Sequence, residues 1–315
     1  MKKFAIALLA AVFFMAACTA HQSDDARKTY TFGMVLMTLT TEYWKLEMAG
    51  ARDAAKKLGV EVKFLGPPEE TQYEQQVKMV EDQITAGADA IILAASQPDT
   101  MIPVLNYAHQ RDIPVVLTEA EVDFNEKVTF VGTRNYNAGK LGGEFFKDIV
   151  KSGDKVAIVR GQSGSKVHDE RTKGFQDALK GKRIEFIVQD AQSDRVKAVN
   201  VMENILTANP DVKAVFATSD EMALGAHKAL KNKKKNEIPL MGFDGTPDGL
   251  KAVQDGRMLA NIAQNPYQIG YKAVEAAYKA KKGETVEKRI DSGAAVITKE
   301  NVDQEIEKAN NRLNQ

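Results

Sequence analysis

Short, uncharged and mainly apolar runs alternate with amphipathic helical stretches along almost the whole chain. Phe32–Met37 and Ala90–Ala95 are two such runs, whereas Tyr43–Leu58 has helical periodicity and is followed by Gly59. Glycine is the residue that most often ends a helix in the left-handed conformation. Strands that are apolar throughout and separated by helices form parallel sheets with helices on both faces. The alternation therefore predicts an α/β fold.

The alternation starts afresh after Thr129–Thr133, so it divides the chain into two units of similar size. Without its first residues the chain retains roughly 290 residues, which is large for one hydrophobic core and natural for two. We therefore predict two doubly wound parallel-sheet lobes. A (β/α)8 barrel of similar length is the competing fold.

The first seventeen residues have the pattern of an export signal. Lys2 and Lys3 are followed by Phe4–Ala17, which is apolar and uncharged. This length suits a signal-peptide core and is too short for a transmembrane helix. We therefore predict a signal peptide over residues 1–17 and a protein exported to the periplasm or the outer cell surface.

Small residues stand directly before Cys18, as in the bacterial lipobox, whose cysteine becomes acylated and forms the mature N-terminus. Cys18 is the only cysteine in the chain, so it has no partner for an internal disulfide. We predict that Cys18 is lipidated and that residues 18–29 are a polar tether to the membrane. Ordinary cleavage beside an incidental thiol is the alternative.

Acidic and basic residues balance at 43 each, so the chain has no large basic footprint for nucleic acid. The dense lysine run around Lys231–Lys235 falls between a helical pattern and a strand and is predicted to be a solvated loop. No second apolar stretch is long enough to span a bilayer. We expect a monomer that binds no nucleic acid.

The residues that follow the strand runs are polar and hydrogen-bonding, and they are poor in histidine and cysteine. Open α/β sheets bind ligands at the carboxyl ends of their strands. Gly161–Ser165 lacks the final glycine of a nucleophile elbow, and no zinc or phosphate-loop motif occurs. Of the four histidines, His168 is expected at a cleft rim or on the surface. We predict a binding protein with no enzymatic activity, no metal and no cofactor.

Eight stretches carry a resemblance to a known family: Glu170–Phe175, Asp194–Lys197, Asn200–Asp211, Ala214–Ala217, Asp220–Ala226, Gly242–Gly249, Ile262–Gln264 and Gln268–Gly270. In this order and spacing the chain resembles bacterial periplasmic sugar-binding proteins of the ribose-binding type, from about Tyr30 to Val302. Gly66–Glu69 looks more like the branch that binds assorted sugars, polyols and the autoinducer-2 signal.

The resemblance implies a type I periplasmic binding protein fold, with two lobes joined by three hinge crossovers. By analogy the N-terminal lobe comprises residues 30–132 plus 265–291, and the C-terminal lobe comprises residues 133–264 plus 292–311. The implied hinges include Thr133, Arg134, Asn265 and Ser292. Such lobes close around a ligand and present it to the permease of an ABC importer. A ligand sensor that feeds a chemoreceptor or a sensor kinase is the alternative. Repressors share the fold, but they carry a helix-turn-helix where this chain has its signal peptide.

The same resemblance implies a set of ligand-binding residues: Thr41, Tyr43, Trp44, Glu119, Arg171, Ser219, Asp244 and Gln264. Asp244 can accept hydrogen bonds from two hydroxyl groups, and the guanidinium of Arg171 can hold a ring oxygen and a hydroxyl together. Tyr43 and Trp44 offer aromatic faces to the C–H side of a sugar ring. The alternatives are structural: a turn for Asp244, a surface ion pair for Arg171, a hinge amide for Gln264 and core packing for one of the two aromatic residues.

Several positions depart from the ribose-binding pattern. Thr41, Ser219 and Ala95 stand where asparagine is usual. Glu119–Ala120 stands where Asp-Arg is usual, and Ser193 stands where an aromatic residue is usual. A site that lacks donors required by a ligand discriminates against that ligand. We therefore expect a sugar or polyol other than ribose, with both a smaller and a larger ligand left open.

Overall fold

The computed structural model describes residues 29–313, and within them strands and helices alternate as the sequence predicts. The signal peptide, Cys18 and the tether up to residue 28 lie outside the described residues. The strands are β1 (Thr31–Val35), β2 (Glu61–Leu65), β3 (Ala90–Leu93), β4 (Val115–Thr118), β5 (Thr129–Gly132), β6 (Lys155–Arg160), β7 (Glu185–Asp190), β8 (Val212–Ala217), β9 (Leu240–Asp244), β10 (Ala260–Ala263), β11 (Arg289–Asp291) and β12 (Ala295–Ile297).

The helices cover the faces of the sheets. Within residues 29–313, which the structure describes, no helix is long and apolar enough to cross a bilayer. The helices are α1 (Glu42–Leu58), α2 (Tyr73–Thr85), α3 (Pro98–His109), α4 (Asn135–Phe146), α5 (Lys166–Ala178), α6 (Arg195–Ala208), α7 (Asp220–Asn232), α8 (Pro247–Gln254), α9 (Pro266–Lys281) and α10 (Val302–Leu313).

The strands form two separate six-stranded sheets. The first has the order β11-β5-β4-β3-β1-β2, and the second has the order β12-β10-β9-β8-β6-β7. All pairings are parallel except that of β12, which runs antiparallel to β10. Both sheets therefore share one doubly wound plan, with the last strand added from the C-terminal part of the chain. Two open sheets confirm the two-lobed prediction and exclude the barrel.

The chain passes between the sheets three times: after β5, after β10, and between β11 and β12. The first and third passages are tied together, because Thr133 Oγ1 lies 3.0 Å from Ser292 Oγ and Arg134 Nε lies 2.8 Å from Asp291 Oδ2. At the second passage the Asn265 side chain accepts from the backbone N–H of Gln268 at the start of α9. The residue limits of the lobes and the hinge role of these positions stay predictions.

Each sheet is buried on both faces, which accounts for its unbroken apolar strands. Ile91 and Ile92 are fully buried and belong to different core clusters on opposite faces of the first sheet. Several helix pairs pack so closely that only glycine fits at their contacts. A Cβ on Gly50 of α1 would lie 1.9 Å from the Tyr267 carbonyl oxygen of α9, and one on Gly139 of α4 would lie 2.1 Å from the Arg171 carbonyl oxygen of α5.

The predicted elements differ from the observed ones mainly at their ends. The sequence pattern predicts a helix from Asn135 to about Lys151, but the helix ends at Phe146. The Lys182 ammonium group donates to the carbonyl oxygens of Lys147 and Val150, which stabilises a turn in place of the last helical turn. Strand β11 and helix α10 were not predicted, because β11 has only three residues and α10 is strongly polar.

Candidate functional site

A cavity lies between the two sheets, where the loops after the carboxyl ends of several strands meet. Its free space measures about 50 Å³, several times the roughly 10–15 Å³ that one water molecule needs. Side chains from both halves of the chain line it: Met37, Thr41, Tyr43, Trp44, Glu70, Glu119, Val167, His168, Arg171, Ser193, Ser219, Glu221, Asp244 and Thr246. Seven of the eight predicted ligand-binding residues are in this set, and Gln264 contacts it through Asp244.

Arg171 is held rigidly on the second-sheet side of the cavity. Helix α5 carries it, and the residue is 3% exposed. Its Nε donates to Asn135 Oδ1 at 2.9 Å, and its Nη1 donates to the Thr218 carbonyl oxygen at 2.9 Å and to Asp244 Oδ1 at 3.2 Å. The guanidinium carbon lies 3.9 Å from the centre of the Phe243 ring. These contacts fix the plane of the guanidinium and exclude the alternative of a surface ion pair.

Glu119 approaches Arg171 from the first sheet. It directly follows β4, and Arg171 Nη2 lies 3.9 Å from Glu119 Oε2. Tyr43 donates its hydroxyl hydrogen to Glu119 Oε1. Burial raises the pKa of Glu119, and the nearby guanidinium of Arg171 opposes that rise. The backbone φ of Glu119 is 57°, a left-handed conformation that directs this side chain at a cost in strain.

Asp244 ends β9 and also has a left-handed backbone, with φ at 113°. Its Oδ1 accepts from Arg171 and from Gln264 Nε2, the latter at 2.8 Å. Burial raises the pKa of Asp244 well above its usual range, Arg171 opposes the rise, and Asp220 adds to it. No hydrogen bond within residues 29–313 reaches its Oδ2, so that oxygen is open to a ligand in the cavity it lines.

Tyr43 and Trp44 form the aromatic wall of the cavity at the start of α1. Their rings meet edge to face, with centroids 5.2 Å apart and planes at 88°. Both residues are buried, and Trp44 Nε1 donates to Glu70 Oε1 at 3.2 Å. Both aromatic side chains thus line the cavity and also pack in the core of the first lobe. Ligand contact and core packing are therefore compatible for each of them.

Thr41 and Ser219 are the residues that precede two helices. Thr41 is the N-cap of α1, but its side chain makes no capping hydrogen bond, and the residue lines the cavity. Ser219 is the N-cap of α7, and its hydroxyl accepts from the Met222 backbone N–H at 3.4 Å. Ser219 therefore has a structural role as well as a place in the lining.

His168 is not at the rim or on the surface, so that expectation was wrong. The residue is 7% exposed, and its Nδ1 lies 2.8 Å from Thr218 Oγ1 while its Nε2 lies 3.1 Å from Ser193 Oγ. Burial, together with the positive charges of Arg171 and Arg160, lowers the pKa of His168 to about 3. Such a ring is neutral at ordinary pH and too weak a base to activate the Ser193 hydroxyl.

Sequence reasoning also missed the carboxylates of Glu70 and Glu221 in the lining. Glu70 lies in the loop between β2 and α2, and Glu221 in the first turn of α7. Both are near positions singled out from the sequence, in Gly66–Glu69 and at Ser219. Residues 29–313 contain no group of three histidine, cysteine or acidic side chains placed to hold a metal ion. The arrangement supplies hydrogen-bond donors and acceptors around an aromatic wall.

The chain is similar to proteins of a known family. Residues 32–285 match the family model described as periplasmic binding protein domain. The ribose import binding protein RbsB of Escherichia coli K12 is 36% identical over 293 residues, covering 93% of this chain and 98% of RbsB. The D-allose-binding periplasmic protein of the same organism is 30% identical over 271 residues, 82% of this chain and 87% of that protein.

Among solved structures, an ABC transporter solute binding protein from Agrobacterium vitis with bound D-fucose superposes with a TM-score of 0.85. It is 30% identical in sequence, and the match covers 89% of this chain and 99% of the other.

Proposed function

This chain belongs to the periplasmic binding protein domain family, and we propose that it captures a sugar in the cavity between its two sheets and delivers it to the permease of an ABC importer. The observation that carries this proposal is the guanidinium of Arg171, buried between Glu119 of one sheet and Asp244 of the other. A guanidinium held between two carboxylates offers hydrogen-bond donors and acceptors to a ligand with several hydroxyl groups.

The chemistry of the lining fits a monosaccharide or a related polyol. Asp244 Oδ2 and Glu119 Oε2 accept from hydroxyl groups, the free edge of Arg171 donates, and the Tyr43–Trp44 wall covers the C–H face of a ring. The relatives with bound or named ribose, allose and fucose support a sugar in this place. The departures from the ribose-binding pattern at Thr41, Ser193 and Ser219 favour a sugar other than ribose.

We propose that the lobes close on the sugar about the three passages, with Thr133, Arg134, Asn265 and Ser292 as hinge residues. Two contacts outside the cavity favour the closed arrangement. Glu42 Oε2 accepts from the Asp248 backbone N–H at 2.9 Å, and Lys197 Nζ lies 3.8 Å from Glu69 Oε2. Each of them joins a residue from the first half of the chain to one from the second.

We also propose that the protein is exported and anchored to a membrane. The family is periplasmic, and the pattern of residues 1–18 supports a signal peptide followed by a lipid on Cys18. The mature protein then lies on the outer side of the cytoplasmic membrane or at the cell surface, within reach of its permease, and acts as a monomer. Members of the family are substrate-binding proteins, and we propose that this chain likewise leaves its ligand chemically unchanged.

Mass spectrometry tests the proposal directly. The protein is purified gently from its host without added sugar, denatured, and the released small molecules are identified. We expect one sugar or polyol in an amount equal to that of the protein. A stoichiometric ligand of another chemical class, or steady conversion of a sugar by the pure protein, contradicts the proposed function.

A further inference from the structure

The charges that line the cavity do not balance. Glu70, Glu119, Glu221 and Asp244 contribute four carboxylates, and among the lining residues Arg171 contributes the one permanent positive charge. The remaining basic side chain in the lining, His168, is neutral because burial holds its pKa at about 3. A closed, largely buried space normally keeps its charges paired, because an unpaired buried charge is expensive.

Two of these carboxylates lack a full partner. Glu221 has its own cation outside the lining, because Arg195 donates to both of its oxygens at 2.8 and 2.9 Å. Arg171 is shared between Glu119 and Asp244. Glu70 accepts only from neutral groups, Trp44 Nε1 at 3.2 Å and the Ser193 hydroxyl. These three carboxyl groups share one guanidinium, and burial raises the pKa of each of them, so a cation from the ligand would favour their ionised forms.

Two further buried acidic residues lie close to this set. Asp220 is 1% exposed behind Asp244, and Glu47 is 0% exposed beneath Glu119, with no hydrogen bond to either carboxyl oxygen within residues 29–313. Asp220 raises the pKa of Asp244, and Glu47 has its own pKa raised by burial first and by Glu119 second. Lys197 pairs with Glu69, the sequence neighbour of Glu70.

We propose that the ligand of this cavity is an amino sugar or an amino polyol, and that Glu70 binds its ammonium group. The inference rests on the proposed function and names its substrate class. The ammonium group lies against the Glu70 carboxylate beside Trp44 and forms a charge-assisted hydrogen bond with it. The hydroxyl groups then lie toward Arg171, with Glu119 Oε2 and Asp244 Oδ2 as acceptors. Both of these carboxylates belong to residues more than nine-tenths buried.

Calorimetry with matched pairs tests this assignment. D-Glucose, D-galactose and D-mannose are compared with their 2-amino-2-deoxy forms, and D-glucose also with its 3- and 6-amino forms. At least one amino sugar should bind roughly 10- to 100-fold tighter than its neutral parent, the gain typical of a hydrogen bond to a charged group. Glu70→Gln should bring the ratio of the two affinities close to one. The control Glu69→Gln removes the same charge from an exposed neighbour and should leave the ratio unchanged.

The outcomes separate the two proposals. If neutral sugars bind as tightly as every amino counterpart, the inference is overturned, while the proposed function stands. If the preference survives in Glu70→Gln, the assignment of Glu70 is wrong. If neither class binds, the inference fails, and the proposed function is decided separately by the ligand that mass spectrometry identifies. The comparison in the unmodified protein needs no variant, so a Glu70→Gln protein that does not fold leaves the test intact.

Discussion

Arg171 and Glu119 face each other across the two sheets, with 3.9 Å between Nη2 and Oε2. Arg171 is fixed from the second-sheet side by Asn135, Thr218 and Asp244, whereas Glu119 is fixed from the first by Tyr43. The distance is too long for a hydrogen bond and short enough for a strong attraction in a buried space. A hydroxyl group of the ligand can complete the contact, which would couple binding to the proposed closing of the lobes.

Trp44 should report ligand binding by fluorescence. It is the only tryptophan in the chain, and it lines the cavity against Tyr43 and Glu70. A bound sugar replaces water at its ring, so the emission should change in intensity or wavelength with the same midpoint as in calorimetry. Trp44→Phe should abolish the signal. Unchanged emission at saturation shows that the ligand does not contact this wall.

Gly139→Ala should lower both stability and ligand affinity. An added Cβ would lie 2.1 Å from the carbonyl oxygen of Arg171, so α4 must move away from α5 and displace the guanidinium. Overpacking of this kind costs about 1–3 kcal/mol. Gly181→Ala is the control, because a Cβ there meets no atom within 4 Å. Thermal unfolding and calorimetry measure the two effects, and equal behaviour of the two variants contradicts the prediction.

The buried neutral imidazole of His168 should make stability depend on pH. Its pKa is about 3 in the folded protein and near 6.5 when unfolded. The unfolded chain therefore binds the extra proton between these values, and the free energy of unfolding falls as the pH drops below about 6.5. At pH 5 this loss amounts to about 2 kcal/mol.

His168→Gln should reduce this acid sensitivity, seen as a smaller loss of stability between pH 7 and pH 5 in urea unfolding. Buried carboxylates such as Glu119 act in the opposite direction, since their raised pKa favours the folded state on acidification, so the comparison is between variant and parent. The exposed His109 provides the control His109→Gln. Parallel curves for His168→Gln and the parent contradict the prediction.

Cys18→Ser should release the protein from the membrane. The lipobox-like residues before Cys18 predict a lipid that holds the parent in the membrane fraction. The variant should appear in the soluble fraction and fail to incorporate labelled palmitate. A parent protein that is soluble and unlabelled excludes the anchor.

The fold was predictable because its elements carry strong local signals. Buried strands such as β3 are apolar on both faces, and α1 ends at a glycine in the left-handed conformation. Helix α10 and strand β11 were missed because their place depends on tertiary contacts. Helix α10 buries Val302 and Ala309 against the second sheet's core, while most of its other residues are polar. A short strand such as β11 is defined by its neighbour β5 and not by its own three residues.

The site was predictable only in part. Asp244 follows a strand directly, and Arg171 lies in a recognisable stretch, so the sequence singled out both residues, and both line the cavity. Glu70 lies five residues beyond the end of β2, and it reaches the cavity only because the loop folds back against Trp44. His168 was misplaced because its burial depends on Thr218 and Ser193, which are distant in sequence. The charge imbalance of the cavity likewise becomes apparent only when both lobes are present.

The binding of the released ligand to the parent and to Asp244→Asn, measured by calorimetry, tests the central claim most directly. Asn keeps the shape of Asp244 and removes its charge, and Asp248→Asn does the same at an exposed position on α8. We predict one-to-one binding that weakens roughly 10- to 100-fold in Asp244→Asn and stays unchanged in Asp248→Asn. Unchanged affinity in a folded Asp244→Asn protein would place the ligand outside the cavity between the two sheets.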